Sequence, residues 1–179
     1  MARWHPVTSA VTPADATAEA VRVREASVHD LDAVMELRLA LLREHPTHPI
    51  YGRLRADVTT RARELFSAQL RAPTETIFLA ERDGCVAGIL RCVESMGSPL
   101  LDPARYAYVS SAYVRPEARR RGVLRALMRA AETWSRARGL DQMRLHNVSG
   151  SPSAEGAWSA LGFEIVEHVR VRSVPPSAG

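Results

Sequence analysis

A cluster of arginines directly before a long amphipathic segment is the part of this sequence best suited to chemistry. Arg119, Arg120 and Arg121 are followed by Gly122, and Arg125 lies one helical turn further on. The first amides of a helix lack intrahelical acceptors and carry the positive end of the helix dipole, so they favour an anion. Glycine lets a ligand approach the backbone, and arginine donates charge-assisted hydrogen bonds to phosphate oxygens. The spacing therefore predicts a phosphate or pyrophosphate site at this turn.

Basic charge in this chain comes from arginine alone. All 24 Lys+Arg residues are arginine, and the formal net charge is +4. Without lysine the chain cannot form a Walker A phosphate loop or a Schiff base through a lysine amine. We attribute most of the arginines to compositional preference and expect an anionic ligand at residues 119–125. No nucleic-acid partner is expected, because aromatic residues do not interleave with this basic stretch.

Metal and redox chemistry are not expected from the cysteines and histidines. Cys85 and Cys92 lie in apolar, strand-like sequence without a CxxC spacing. His45 and His48 are three residues apart, but the prolines beside them disfavour the helix that would join them as a metal pair. The sequence therefore predicts no metal site.

The length and patterning indicate one domain. We expect residues 1–20 to form a flexible arm, residues 21–172 a single domain, and residues 173–179 a loose tail. The longest apolar runs are far shorter than the ~18 residues of a bilayer span. Residues 1–20 also lack the apolar centre of a secretory signal. A cytoplasmic location without a membrane partner is the expectation.

The elements that must position the arginine turn follow the order β-α-α-β-β-β-α-β-α-β. Asp83-Gly84 predicts a hairpin turn, Ser27 and Asp30 a capping box, and Gly139 the end of the long helix. Early strands pair as hairpins, and the strand, long helix and strand that follow form a parallel crossover. The predicted strands lie near 20–26, 76–82, 85–94, 106–114, 143–148 and 163–172, and the helices near 31–44, 58–70, 120–138 and 152–161.

At this turn the sequence resembles the GNAT superfamily of N-acetyltransferases. That family's signature is Arg or Gln, two residues, Gly, one residue, and Gly or Ala; residues 119–123 fit its first five positions, and Leu124 departs at the sixth. Residues 112–117 are similar to the strand end that precedes the signature, and Leu161-Gly162-Phe163 matches the end of a short downstream helix. The element order agrees over residues 21–172.

The resemblance implies an α/β (α+β mixed) fold, with a splayed mixed sheet of six to seven strands and about four helices. Acetyl-CoA would lie in a V-shaped gap between strands 106–114 and 143–148, with no metal. Pantetheine would pair with the main chain of one strand end, and the pyrophosphate would be held at the turn. The implied cofactor-binding residues are Ala112, Tyr113, Val114, Arg119, Arg120, Arg121, Gly122, Val123, Leu124, Arg125, Ser151 and Trp158.

In this family an acceptor amine attacks the thioester directly, helped by a base and an acid. The usual glutamate region is Ser110 and Ser111 here, and the usual tyrosine position is Trp158. Three alternatives remain: His146 as a base, a water held by one of the serines, or a phenol from Tyr108 or Tyr113.

The resemblance also places the acceptor site at the loop between the first two helices, residues 45–53. His48 and Tyr51 in this loop, together with Asn147, are the expected acceptor-binding residues, and residues 94–105 would form another wall. The implied activity is transfer of an acetyl group from acetyl-CoA to a primary amine of a small molecule or peptide. The alternative is a catalytically inert CoA-binding regulatory or sensor domain. Homodimers are frequent in the family.

Overall fold

The structure, a computed structural model, describes residues 20–175. The predicted N-terminal arm therefore lies outside the described residues, except for Ala20, and so does the end of the predicted tail. Within the described part of the chain, no helix is both long and apolar enough to cross a bilayer.

A five-stranded mixed sheet forms the centre of the fold, with its strands in chain order from one edge to the other. The first four strands pair antiparallel, and the last pair is parallel. Because a parallel pair needs a crossover, the long helix between the last two strands packs on one face of the sheet. The strands are β1 (Arg22–Glu25), β2 (Glu75–Arg82), β3 (Cys85–Met96), β4 (Arg105–Val114) and β5 (Met143–Leu145).

Helices cover both faces of this sheet and divide its core in two. The apolar face of α3 is buried, and Val123, Leu127, Ala131 and Trp134 pack into one core. The opposite core is built by α1 and α2 against the other sheet face. The helices are α1 (Leu31–Arg43), α2 (Val58–Gln69), α3 (Val123–Ala137) and α4 (Pro152–Ser159), and short 3-10 turns lie at Val28–Asp30 and Pro116–Ala118.

Three local predictions are confirmed. Asp83 and Gly84 both have positive φ and form the two-residue turn between β2 and β3. Ser27 and Asp30 form the reciprocal bonds of a capping box before α1. Gly139 follows α3 with φ +66°, the left-handed conformation that ends helices.

The expectation of six to seven strands is wrong, because the described residues form five. The segment 163–172 forms no strand, and its apolar residues, such as Ile165 and Val169, are mostly exposed. Alternating valine and arginine there raise β propensity, but a strand also needs a neighbour to accept its hydrogen bonds. The predicted strand 143–148 is also shorter than expected, since β5 ends at Leu145.

Candidate active site

The two parallel strands β4 and β5 separate after a short ladder. Their pairing covers only Ala107 to Val109 on β4 and Met143 to Leu145 on β5. Beyond Val109, the edge of β4 that faces away from β3 has no strand partner among residues 20–175. This edge therefore presents main-chain donors and acceptors to a gap between β4 and β5, where the family resemblance implied a V-shaped opening.

A bulge in β4 lies where the gap opens. The register passes from Arg91 opposite Ser110 to Ile89 opposite Tyr113, which leaves one extra residue on β4. The bulge is centred on Ser111, whose φ is +55°. Bulges bend a strand and re-aim its groups, so this one redirects the backbone at the point where the strands separate. Tyr113 then points into the core under α1 and α2, where it is 9% exposed.

The arginine turn before α3 carries a run of amides suited to an anion. Arg120 and Gly122 both have positive φ, +60° and +81°. The first helical bond is donated by Ala126 to the carbonyl of Gly122. In the described structure the N–H groups of residues 120–125 make no bond to a protein acceptor. A Cβ built on Gly122 meets nothing within 4 Å, so the backbone is open to a ligand. This cradle fits a pyrophosphate.

The side chains of this turn divide between solvent and core. Arg120, Arg121 and Arg125 are exposed, so their charges surround the amides. Val123 is buried, and Leu124 packs its side chain against the core under α3. The departure from the family signature at Leu124 thus adds apolar packing at the start of α3.

Arg119 makes contacts within the protein, unlike the exposed arginines that follow it. Its guanidinium forms an ion pair with Glu44 at the end of α1 and donates from Nε to the carbonyl of Val114 at 3.0 Å. The charge also lies 5.8 Å from the ring centroid of Tyr113. Its own N–H bonds to Pro116, so the free amides begin at Arg120. Arg119 ties the turn to β4 and α1.

Tyr108 and His146 meet on the α1 and α2 side of the gap. The phenolic oxygen lies 3.2 Å from Nδ1 of His146, and the rings meet edge to face at 5.6 Å. Burial raises the pKa of Tyr108, and nearby Tyr51 and Tyr106 raise it further. The phenol is therefore protonated at neutral pH and can donate a proton, while the exposed imidazole can accept one.

A cluster of charged residues next to Ser110 was not predicted from the sequence. Arg91 on β3 forms an ion pair with Glu75 on β2 and donates from Nη1 to Oγ of Ser110 at 3.3 Å. Arg38 on α1 lies near both charges. The sequence does contain a signal, since Arg38 and Arg91 are each a single arginine inside an apolar run. Whether two such residues meet depends on how the helix and strands pack, which the sequence pattern does not give.

The structure places the predicted acceptor residues in loops. Nδ1 of His48 accepts the N–H groups of Ile50 and Tyr51 at 3.2 Å, and its ring stacks on Tyr51 at 4.8 Å. This histidine therefore organises the loop whose Tyr51 lies near Tyr108. Asn147 is exposed beyond the end of β5 and donates to the carbonyl of its neighbour at 3.2 Å.

The predicted cofactor residues of α4 make local contacts. Ser151 lies at the N-cap, where its Oγ is 3.4 Å from Oγ of Ser153 and does not cap the helix. Trp158 meets Phe163 edge to face at 5.6 Å and packs against the core under α3. Within residues 20–175 no three His, Cys, Asp or Glu side chains are grouped as metal ligands would be.

The sheet with its open β4 edge and the turn of free amides define a CoA-dependent acyltransferase. The chain belongs to the acetyltransferase (GNAT) family, whose model matches residues 36–163. It is 29% identical over 107 residues to an aminoglycoside N(6')-acetyltransferase type 1 of Klebsiella aerogenes, covering 60% of this chain and 70% of that relative.

Two solved structures share the fold. One is a predicted acetyltransferase from Clostridium acetobutylicum with acetyl-CoA, with a TM-score of 0.70 and 15% identity over 86% of this chain and 96% of that one. The other is the aminoglycoside N-acetyltransferase AAC(6')-Iy in complex with CoA, with a TM-score of 0.69 and 22% identity over 92% of this chain and 99% of that one.

Proposed function

We propose that this enzyme transfers an acetyl group from acetyl-CoA to the primary amine of a small molecule at the gap between β4 and β5. One observation carries the proposal: the unpaired edge of β4 leads directly into the turn of free amides before α3. A strand-like pantetheine arm and a pyrophosphate need these two features in sequence. Both are present on one continuous stretch, residues 110–125.

The residues that would hold acetyl-CoA do so mainly through the backbone. The main chain of Ala112, Tyr113 and Val114 supports the pantetheine arm, and the amides of residues 120–125 support the pyrophosphate. The exposed charges of the turn add attraction to its oxygens. Since these donors are fixed before binding, little ordering cost accompanies their use.

Tyr108 and His146 provide a proton path for the reaction. Acetyl-CoA supplies the activated thioester carbonyl. When Nδ1 of His146 carries the proton, it donates to the oxygen of Tyr108, and Nε2 is free to accept a proton from the attacking amine. Tyr108 then donates its O–H proton to the departing sulfur and regains one from Nδ1. The C–N bond forms, the C–S bond breaks, and the thiol carries the former proton of Tyr108. The proton taken from the amine stays on Nε2 of His146 until it is lost to solvent, and Nδ1 takes up a proton again before the next turnover.

Ser110 and Ser111 support this path without taking the proton themselves. The bulge at Ser111 bends β4 where the gap opens, so a backbone amide of this segment can polarise the carbonyl under attack. Ser110 is held by Arg91 and can bind a water or the incoming amine. Positioning of both reactants then supplies much of the acceleration.

Steady-state acetyl transfer tests this function. The purified chain is given acetyl-CoA and a panel of primary amines, with thiol release and acetylated product measured together. We expect amine-dependent thiol release and a product that carries one acetyl group. Binding of CoA without any amine-dependent release would contradict the proposal and favour an inert CoA-binding domain.

A further inference from the structure

Two arginines meet beside the proposed transfer site, on the α1 and α2 side of the sheet. Arg91 has an 18% exposed side chain, forms an ion pair with Glu75 and donates to Ser110. Arg38 is half-buried on α1, with its guanidinium carbon 4.4 Å from the ring centroid of Phe66. Arg38 therefore lies between α1 and α2 near Arg91, and Arg91 reaches the gap through Ser110.

The charge of this pair is not balanced by the protein. Among residues 20–175, no carboxylate forms an ion pair with Arg38, whose closest polar contact is Nη1 to Oε1 of Gln69 at 3.5 Å. Burial and the neighbouring charge of Arg91 lower the pKa of Arg38 to about 10, while Glu75 opposes this shift. In the part of the chain that the structure describes, Glu75 pairs with Arg91, and the two guanidiniums exceed this carboxylate by one charge. A half-buried charge is costly unless an opposite charge approaches it.

We propose that Arg38 and Arg91 bind a carboxylate of the acceptor, so that the acceptor is an amine that also carries a carboxylate. An α-amino acid is the simplest example. A guanidinium presents five N–H donors in a fork that matches a carboxylate, and the contacts above leave several of them unused. Since Arg91 is bonded to Ser110, the carboxylate and the reacting amine lie a short distance apart. This inference rests on the proposed function.

The same charges disfavour a polycationic acceptor. Aminoglycosides carry several ammonium groups, which need carboxylates as partners. The carboxylate of this cluster, Glu75, is already paired with Arg91. An additional cation beside Arg38 would be repelled. The acceptor class of this enzyme therefore differs from the one in the names of its aminoglycoside-modifying relatives.

The test compares an acceptor that carries the carboxylate with acceptors that lack it. The kcat/KM for acetylation is measured for an amino acid, for its uncharged amide and for an aminoglycoside. A charge-assisted pair gives the amino acid a preference of about 10-fold or more over its amide. Turnover of amines with equal rates for acid and amide, or with a preference for the aminoglycoside, overturns the inference and leaves the proposed function intact.

Variants of Arg38 test whether this residue causes the preference for the amino acid over its amide. In R38M we expect the preference for the amino acid over its amide to fall to about 2-fold or less. In R38K, which keeps the charge and loses the fork, it is intermediate, and this variant serves if R38M does not fold. The control R63M removes an arginine with a 58% exposed side chain on α2 and keeps the full preference. An R38K or R38M enzyme with the wild-type preference contradicts the inference.

A binding measurement tests the proposed carboxylate site even without turnover. An N-acetyl amino acid and its amide are titrated into the protein in the presence of CoA. The carboxylate form binds about 10-fold more tightly to the wild-type protein, and the difference disappears in R38M. Equal binding of the two forms overturns the inference. Absence of acetyl transfer to any amine would instead contradict the proposed function.

Discussion

The phenolic oxygen of Tyr108 lies 3.2 Å from Nδ1 of His146, which joins the middle of β4 to the residue that follows β5. Tyr108 stands opposite Arg144 in the short parallel ladder, so the contact depends on this register. It brings a phenol and an imidazole together at the point where the two strands separate. The proposed proton path uses both groups as one unit.

Removal of either group is expected to slow the reaction to the same extent. H146Q and Y108F should each lower kcat by about 100-fold, because each interrupts the same proton path. The double variant should lose little more than either single one, since the two effects are not additive. Steady-state kinetics with one amine checks all three enzymes.

The control for these single and double variants is Y106F. Tyr106 lies on the same face of β4, two residues away, with Arg144 4.0 Å from its ring centroid. Loss of its hydroxyl should leave kcat close to that of the wild type. An unchanged pH–rate profile in H146Q, or additive losses in the double variant, would contradict the shared path.

Tyr108 should ionise at a higher pH than an ordinary tyrosine. Burial and the neighbouring phenols raise its pKa, so its phenolate forms only above the usual value of about 10. The absorbance of phenolate is titrated in the wild type and in Y108F, and the difference gives the ionisation of this group. A difference curve with a midpoint at or below the usual value would show that Tyr108 is not buried as described.

Gly122 and Gly139 allow a matched test of the pyrophosphate site. Both have positive φ, and an added Cβ meets nothing within 4 Å at either position. G122A and G139A should therefore each cost about 1–2 kcal/mol of stability from the left-handed backbone. Only G122A should weaken CoA binding, by about 10-fold, because its methyl group stands where the backbone receives the ligand.

Isothermal titration of CoA, together with urea unfolding, separates the two effects. Equal CoA affinity in G122A and G139A would show that the pyrophosphate does not approach the turn before α3. Equal loss of affinity in both variants would mean that destabilisation of α3, and not contact at the turn, weakens binding.

Features that depend on residues close together in the chain could be predicted from the sequence. An arginine and glycine turn before an amphipathic helix predicts an anion site, because the helix start supplies its own free amides. The Asp83-Gly84 hairpin and the capping box at Ser27 likewise depend on residues within a few positions of each other. These features, and the family resemblance around Gly122, fixed most of the element order.

The remaining features depend on partners that are distant in the chain. The meeting of Tyr108 with His146 requires the register of a parallel pair, and Arg91 meets Ser110 only through the register of β3 and β4. Arg119 resembled its neighbours by type, yet Glu44 lies close enough to engage it. The segment 163–172 has a strand-like pattern, but a pattern does not supply a neighbouring strand.

Hydrogen exchange of the full chain with and without acetyl-CoA tests the central claim most directly, because it reports on individual backbone amides. We predict that acetyl-CoA slows exchange in residues 120–125 and along the open edge of β4 at residues 110–114, with little change in α2. Protection confined to other segments, or no protection at saturating acetyl-CoA, would contradict the placement of the cofactor between β4 and β5.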